Sequence, residues 1–295
     1  MPYITVFTPV YNRAHTLDRL YDSLLRQSFK DFEWVVVDDG STDESVKKIK
    51  NYINKNELNI KFIQNSHGGK HRAVNSGLKV ADGKLFFMLD SDDWLTDDAL
   101  EKVIKWEKRI PKDTKCSGLC GCMIDPDGKL ISKGLKEEYI YMPLTQMIKR
   151  GVDGDHADIL FTEVFKKYPY PEIEGEIHIA PGVPFIRMAN DGYNLLFFNE
   201  VVYIAEYGPD GLTAMGDKKS IDNFQGYTLR TRELLHSDVG LKRKIKALVK
   251  YCSLANSMSF ETKDISSMLT ESKLLTELGK AISSVYDMLQ GSRRG

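Results

Sequence analysis

The sequence predicts an α/β fold: a mostly parallel sheet flanked by helices, with a helical extension at the C-terminus. Three observations carry that reading. Short β-rich runs alternate with helix-patterned stretches through the first hundred positions, as in βαβ units. Three of those runs end in polar motifs: Thr8-Pro9-Val10-Tyr11-Asn12-Arg13, Asp38-Asp39-Gly40-Ser41 and Asp90-Ser91-Asp92-Asp93. Strand signals disappear from about Ser220 onward.

Taken in order, residues 3–8 form a β-rich run that Pro9 stops. Residues 14–27 carry Leu17, Leu20, Leu24 and Leu25 at helical spacing. Residues 32–37 are a second strand, entirely apolar but for Glu33, and Ser41 or Thr42 can cap the helix that follows to about Asn54. Residues 61–64 are a third strand, 72–80 a helix, 84–90 a fourth strand and 97–108 the helix after it. In a parallel sheet with right-handed crossovers the three motif-bearing ends lie on one edge, where open α/β sheets bind ligands.

The middle of the chain is α+β in style. Residues 117–124 are a strand, Asp125-Pro126-Asp127-Gly128 a turn and 129–132 its returning arm. Residues 157–161 are a strand, followed by a short helix that Tyr168-Pro169 ends. Residues 183–189 are helical, and 194–198 with 201–205 read as paired strands. Residues 241–257 place Leu241, Ile245, Leu248, Val249 and Cys252 on one helical face, among Lys242, Arg243, Lys244, Lys246 and Lys250. Such a helix lies on an anionic membrane surface or is the solvated face of a docked helix. Residues 280–289 are a last, weak helix.

Composition narrows the classes. The 41 basic and 42 acidic residues nearly cancel, so no overall field points to nucleic acid. No apolar run approaches the roughly 18 residues that span a bilayer, and Met1-Pro2-Tyr3-Ile4 lacks the layout of a secretory signal. The expectation is a cytoplasmic protein. Cys116, Cys120 and Cys122 fall in a C-x3-C-x-C pattern without the paired spacing of structural zinc, and read as small buried hydrophobes.

The run Phe86-Phe87-Met88-Leu89-Asp90-Ser91-Asp92-Asp93 ends four apolar residues in three carboxylates. Carboxylates are seldom buried unpaired, so they belong at the sheet edge. There they could hold a hard divalent cation such as Mn²⁺ or Mg²⁺. Alternatively, Asp92 or Asp93 caps a helix starting near Thr96.

With Val6 to Arg13 and Trp34 to Asp43, the stretch Leu89 to Asp93 resembles the family 2 glycosyltransferases of bacterial surface polysaccharide synthesis. Order, spacing and strand context agree over about the first 110 residues. Glu174-Gly175-Glu176, and Ala205-Glu206-Tyr207 through Asp210-Gly211-Leu212-Thr213, are similar to one subgroup. The resemblance implies a GT-A fold with a Rossmann-like sheet, a UDP-sugar donor, Mn²⁺ or Mg²⁺, and inversion at the anomeric carbon. The chain then divides into a transferase domain, 1–215, with a donor half (1–110) and an acceptor half (111–215), and a helical region, 216–295.

The same resemblance implies residue roles. Thr8, Pro9 and Tyr11 border base and ribose, with Arg13 in the same motif, and Asp39 accepts a hydrogen bond from uracil N3. Lys70, in the turn His67-Gly68-Gly69-Lys70-His71-Arg72, faces the diphosphate, and Asn75 helps fix that turn. Asp93 is the main metal ligand, Asp92 serves metal or ribose, and Asp90 supports them. The family's base precedes a helix whose later arginine matches Arg187, which puts it at Pro181. Proline is no base, so Glu176 and Glu174 are the nearby substitutes, with Asp191 more remote. His178 has a claim as a further ligand, while His67 and His71 read as ordinary histidines.

The expected activity moves a sugar to a glycan or lipid-linked glycan acceptor, without nucleic acid. Peripheral contact with the inner face of a membrane falls to the C-terminal helices. One alternative is a nucleotide-sugar-binding module that has lost its base. Another, a sugar nucleotidyltransferase, would need a glycine-rich basic loop where Pro9 to Arg13 stands.

Overall fold

The computed structural model describes residues 1–131, 135–150, 152, 155–207, 216–270 and 275–283. Nine strands form one sheet in the order β3-β2-β1-β4-β8-β6-β9-β5, with β7 also on β9. β1 (Ile4–Val10), β2 (Phe32–Asp38), β3 (Ile60–Gln64) and β4 (Leu85–Met88) are mutually parallel. β8 (Ala157–Phe161) joins β4 and β6 (Cys116–Ile124) antiparallel, and β9 (Asn194–Ile204) runs parallel to β6. The sheet is therefore mixed beyond β4, because β8 returns beside β4 without a parallel crossover.

The two-residue side-chain period of the strands builds two cores. Val6, Trp34, Val36 and Phe87 face α1 (Leu17–Leu25), α2 (Ser45–Lys55) and α4 (Ala99–Glu107), meeting Leu20, Ile49 and Trp106. Phe7, Val35, Val37 and Phe86 face the other way, onto α3 (Lys70–Val80) and α7 (Gly182–Asn190). All seven residues of β2 are buried, as its near-continuous apolar run requires. Burying a Leu, Val or Phe side chain stabilises by about 1.5–3 kcal/mol, so these layers fix the strand ends that carry the site.

Several elements depart from the sequence reading. β1 continues through Pro9 to Val10. Its pairing with β4 stops at Phe7 and Met88, so the donor Pro9 lacks would have pointed past the end of β4. α2 begins at Ser45 with Glu44 at its N-cap, not after Ser41 or Thr42, because those two residues bond to the β1 loop instead. Residues 194–204 are one strand rather than a pair. Asn199 and Glu200 read as a turn, yet they fall at a register shift against β6, between Phe197 opposite Cys120 and Val201 opposite Cys122. The antiparallel neighbours of β9 are β7 (Tyr139–Met142) and β5 (Trp94–Leu95), neither of which the pattern revealed.

The Asp125–Gly128 turn forms as expected, but its returning arm is the single bridge Ile124 to Leu130, and residues 132–134 lie outside the described residues. α8 (Gly216–Asp222), α9 (Phe224–Leu235), α10 (Leu241–Ser257) and α11 (Thr262–Leu269) follow the sheet. Phe224, Tyr251, Cys252, Ile265 and Leu269 form a separate small core there. Residues 275–283 are helical, and the rest of the expected 280–289 helix lies outside the described residues, as does the stretch Asp210 to Thr213. All four cysteines are buried and free. No described helix is long and apolar enough to cross a membrane.

Candidate active site

The ends of β1 and β2 are zipped together by side chains. Asn12 adopts φ 52°, a left-handed conformation that Asn tolerates. Its N–H donates to Ser41 Oγ at 2.9 Å, and its Oδ1 accepts from the Thr42 N–H at 2.8 Å. Arg13 and Ala14 donate their amides to Ser45 Oγ and Asp43 Oδ2.

Asp39, buried at the tip of β2, ties in the third loop. Its Oδ1 accepts the Gly68 N–H at 2.9 Å and its Oδ2 the Gly69 N–H at 2.8 Å. His67 Nδ1 lies 2.9 Å from the same Oδ2, and the His67 ring stacks on Tyr11 with centroids 4.1 Å apart. Tyr11 remains 42 % exposed, leaving aromatic surface for a ligand. Two glycines make this approach possible. Gly40 has φ +79° and a Cβ there would meet the His67 amide; Gly69 has φ +94° and a Cβ would overlap the Ile177 carbonyl oxygen. Arg72 completes the turn, donating to the carbonyls of Gly68, Glu176 and Ile173 at 2.7–2.8 Å.

The acid run follows β4 directly. One carboxylate oxygen from each of Asp90, Asp92 and Asp93 lies within 4.8 Å of the others. Asp93 is buried: its Oδ2 accepts from the Tyr203 hydroxyl at 2.7 Å and its Oδ1 from the Glu206 N–H at 2.8 Å. The same Tyr203 oxygen accepts the Asp90 N–H. Arg19, stacked 3.7 Å over Trp94, donates to the Asp92 carbonyl and pairs with Glu206. Two cations balance part of the charge, Lys70 at 2.6 Å from Asp90 and Arg13 at 3.6 Å from Asp92. Burial, then Asp90, raises the Asp93 pKa to about 7 and raises that of Asp92 as well. Three crowded oxygen donors carrying surplus negative charge fit a hard divalent cation. Neither Asp92 nor Asp93 caps a helix, since β5 intervenes and Asp98 is the N-cap of α4.

Tyr11, Arg13, Asp39, Lys70, Asp90, Asp92 and Asp93 thus share one sheet edge, and Pro9, near the end of β1, is half-buried. Three expectations need correction. Thr8 is fully buried and its Oγ1 accepts the Trp34 indole N–H, because its side chain points into the sheet face rather than the cleft. Asn75 does not fix the glycine turn. It lies farther along α3 and bonds to Tyr170 and Glu172; Arg72 takes the role instead. Glu176 is buried with both oxygens occupied, accepting the Gln225 N–H at 2.6 Å and the Gly226 N–H at 2.7 Å. These are unsatisfied amides of the first turn of α9, so Glu176 caps a helix and is not free to serve as a base.

Glu174 is exposed on the same loop. Pro181 is the N-cap of α7, and Asp191 lies at the opposite end of that helix, bonded to the Tyr168 hydroxyl. His178 lines a separate cavity beside Pro181, with its pKa lowered to about 4 by burial and then by surrounding cations. The sequence reading missed Asp158 on β8. Burial raises its pKa to about 7, its Oδ1 accepts a hydrogen bond from Cys120 Sγ, and it feels the charges of Lys70 and Asp90.

Residues 5–167, more than half of the chain, match the family described as Glycosyl transferase family 2. A chondroitin synthase of Pasteurella multocida (strain Pm70) is 34% identical over 134 residues, which are 45% of this chain and 14% of that protein. Among solved structures, Staphylococcus aureus TarS 1–349 in complex with UDP-GlcNAc superposes with a TM-score of 0.66 at 22% identity, covering 91% of this chain and 76% of that one. The mannosyltransferase PcManGT from Pyrobaculum calidifontis, in complex with GDP-Man and Mn²⁺, gives 0.56 at 17% identity, covering 97% and 88%. The overall architecture is the GT-A type expected from the first hundred residues.

Proposed function

The chain belongs to glycosyl transferase family 2, and on that premise we propose that it transfers a sugar from a UDP-sugar to a glycan or lipid-linked glycan acceptor in polysaccharide synthesis, with inversion and with a divalent metal. The observation that carries the reading is the meeting of the Asp90, Asp92 and Asp93 carboxylates with the Asp39-held glycine turn and the exposed Tyr11 ring on one edge of the sheet.

In this reading the base stacks on Tyr11. Asp39 offers uracil N3 a lone pair beyond those its two amide bonds use, because a carboxylate has about four acceptor sites. Lys70 and Arg13 flank the diphosphate from either side of the acid run. Asp92 and Asp93 hold Mn²⁺ or Mg²⁺, which when bound neutralises charge growing on the leaving diphosphate. The acceptor hydroxyl attacks the anomeric carbon opposite the departing UDP and must lose its proton to a base within hydrogen-bond reach. With Glu176 committed to α9, we place that base at Asp158, whose proton affinity lies near neutrality, with exposed Glu174 as the other candidate.

We also propose the division at residue 215, and contact of α10 with an anionic membrane surface. Leu241 and Ile245 are exposed there beside Lys242 and Lys246. Co-sedimentation with anionic vesicles, lost on Leu241→Glu, tests that contact. The absence of a carboxylate at Pro181 favours a second reading, a donor-binding module without turnover. Incubation with Mn²⁺ and a panel of UDP-sugars decides between the two. Slow UDP release that Asp93→Ala abolishes supports a transferase, and tight UDP binding with no release from any donor supports the inert module.

A further inference from the structure

We propose that Lys70 and a divalent cation compete for the Asp90 carboxylate, so that the Lys70 ammonium is a built-in stand-in for the ion and turns to the diphosphate when the ion is bound. The proposal rests on the reading of Asp90, Asp92 and Asp93 as a cation site. It goes beyond that reading by giving Lys70 two alternative partners, and so a part in the order in which ion and donor are taken up.

The three carboxylates are held differently. Asp93 accepts two neutral donors, the Tyr203 hydroxyl and the Glu206 N–H. Asp92 faces the Arg13 guanidinium at the longer distance of 3.6 Å. Asp90 is engaged on both oxygens by one cation, with Lys70 Nζ 2.6 Å from its Oδ1 and 2.7 Å from its Oδ2. An ammonium placed there competes with any second cation for the same lone pairs. Its charge also reaches the other two acids. Desolvation works against the Lys70 charge, and Asp90, then Asp93 and Asp92, more than offset it, raising the Lys70 pKa.

The anchor of Lys70 is fixed while its head can turn. Lys70 opens α3 directly after Gly69, whose amide is held by Asp39 and whose carbonyl accepts the Arg72 and Ala73 amides. Beyond that anchor runs a flexible four-carbon stem that ends in a compact point charge. The Lys70 and Asp90 side chains are 35 % and 37 % exposed, so the pair meets solvent and can exchange partners without disturbing either core. An ion bound among these acids would be the largest local charge. Its repulsion of an ammonium a few ångströms away makes joint occupancy of Asp90 unfavourable. The anion then left for Lys70 is the donor's diphosphate, which a charge-assisted N–H···O bond suits. Ion and diphosphate thereby favour each other's binding through one side chain.

The test is titration of the full chain with Mn²⁺ in the absence of nucleotide, read by paramagnetic resonance, with the Mn²⁺-induced rise in Tm as a second reading. Lys70→Met should bind Mn²⁺ at least tenfold more tightly than the wild type and show the larger rise in Tm. Its affinity for UDP at saturating Mn²⁺ should fall at least tenfold. Lys70→Arg keeps the charge and should stay within threefold of the wild type for Mn²⁺. In an Asp90→Asn background the gain from Lys70→Met should shrink below threefold, because the contested carboxylate is gone. Equal or weaker Mn²⁺ binding by Lys70→Met, or a full gain that persists with Asp90→Asn, overturns the proposal while leaving the cation site standing. Failure of Mn²⁺ to bind the wild type and Lys70→Met alike overturns the cation site itself, and the competition with it.

Discussion

Substituting Glu176→Gln removes the charge that ties the 172–180 loop to the first turn of α9, and the structure sets the size of the effect. The carboxylate accepts two amides at 2.6 and 2.7 Å in a site that is 6 % exposed. Glutamine keeps one acceptor oxygen and turns its amide group toward the other N–H, leaving a buried donor unsatisfied at a cost of about 1–3 kcal/mol. Losing the negative charge at a helix N-terminus adds about 0.3–1 kcal/mol. The expected loss is therefore about 1–4 kcal/mol, measured by urea unfolding followed through tryptophan fluorescence. Turnover measured at low temperature, where the variant stays folded, should keep most of its kcat because Glu176 handles no proton. A stability change below about 0.5 kcal/mol with a hundredfold or greater fall in kcat would refute the capping assignment and restore Glu176 as base.

Other consequences are equally specific. Gly69→Ala puts a Cβ into the Ile177 carbonyl at φ +94°, so UDP affinity should fall at least tenfold by calorimetry; unchanged affinity would disprove the need for this close approach. Tyr203→Phe removes the hydroxyl that links Asp90 to Asp93, and Mn²⁺ affinity, read by paramagnetic resonance, should drop about 10–100-fold. His71 is buried with both ring nitrogens unpartnered, and burial lowers its pKa from 6.5 to about 4. The unfolded chain then binds more protons between those values, so stability is full above pH 6.5 and is lost as pH falls toward 4. About 2 kcal/mol of that loss should appear between pH 7.5 and 5. His71→Leu should flatten this part of the urea-stability profile, and an unaltered profile would exclude His71 as its source.

Legibility followed the range of the interactions. The donor side was readable because its chemistry is local: an apolar strand followed at once by Asp90, Asp92 and Asp93, or by Asp38 and Asp39, has few other places to put those carboxylates. What holds them there was not readable. Tyr203 reaches Asp93 across 110 positions and Arg72 reaches the Glu176 carbonyl across 104, contacts that only the closed sheet creates. The Ser41 and Thr42 signals for a helix cap were genuine local preferences, overridden when Asn12 bonded to both residues. Asn199-Glu200 carries turn composition, yet a bulge against β6 absorbs it and keeps β9 continuous. Glu176 misled for a related reason: its partners, Gln225 and Gly226, lie about fifty residues later on a helix whose position no local pattern encodes.

In the proposed function, one sheet edge binds a uridine nucleotide through Tyr11 and Asp39 and its diphosphate through a cation held by Asp92 and Asp93. Calorimetric titration of UDP with and without Mn²⁺, on the wild type and on Asp93→Asn, tests it most directly. UDP should bind the wild type at least tenfold more tightly with Mn²⁺, and that gain should vanish in Asp93→Asn. Equal affinity with and without the ion, or a full Mn²⁺ effect in the variant, would contradict it.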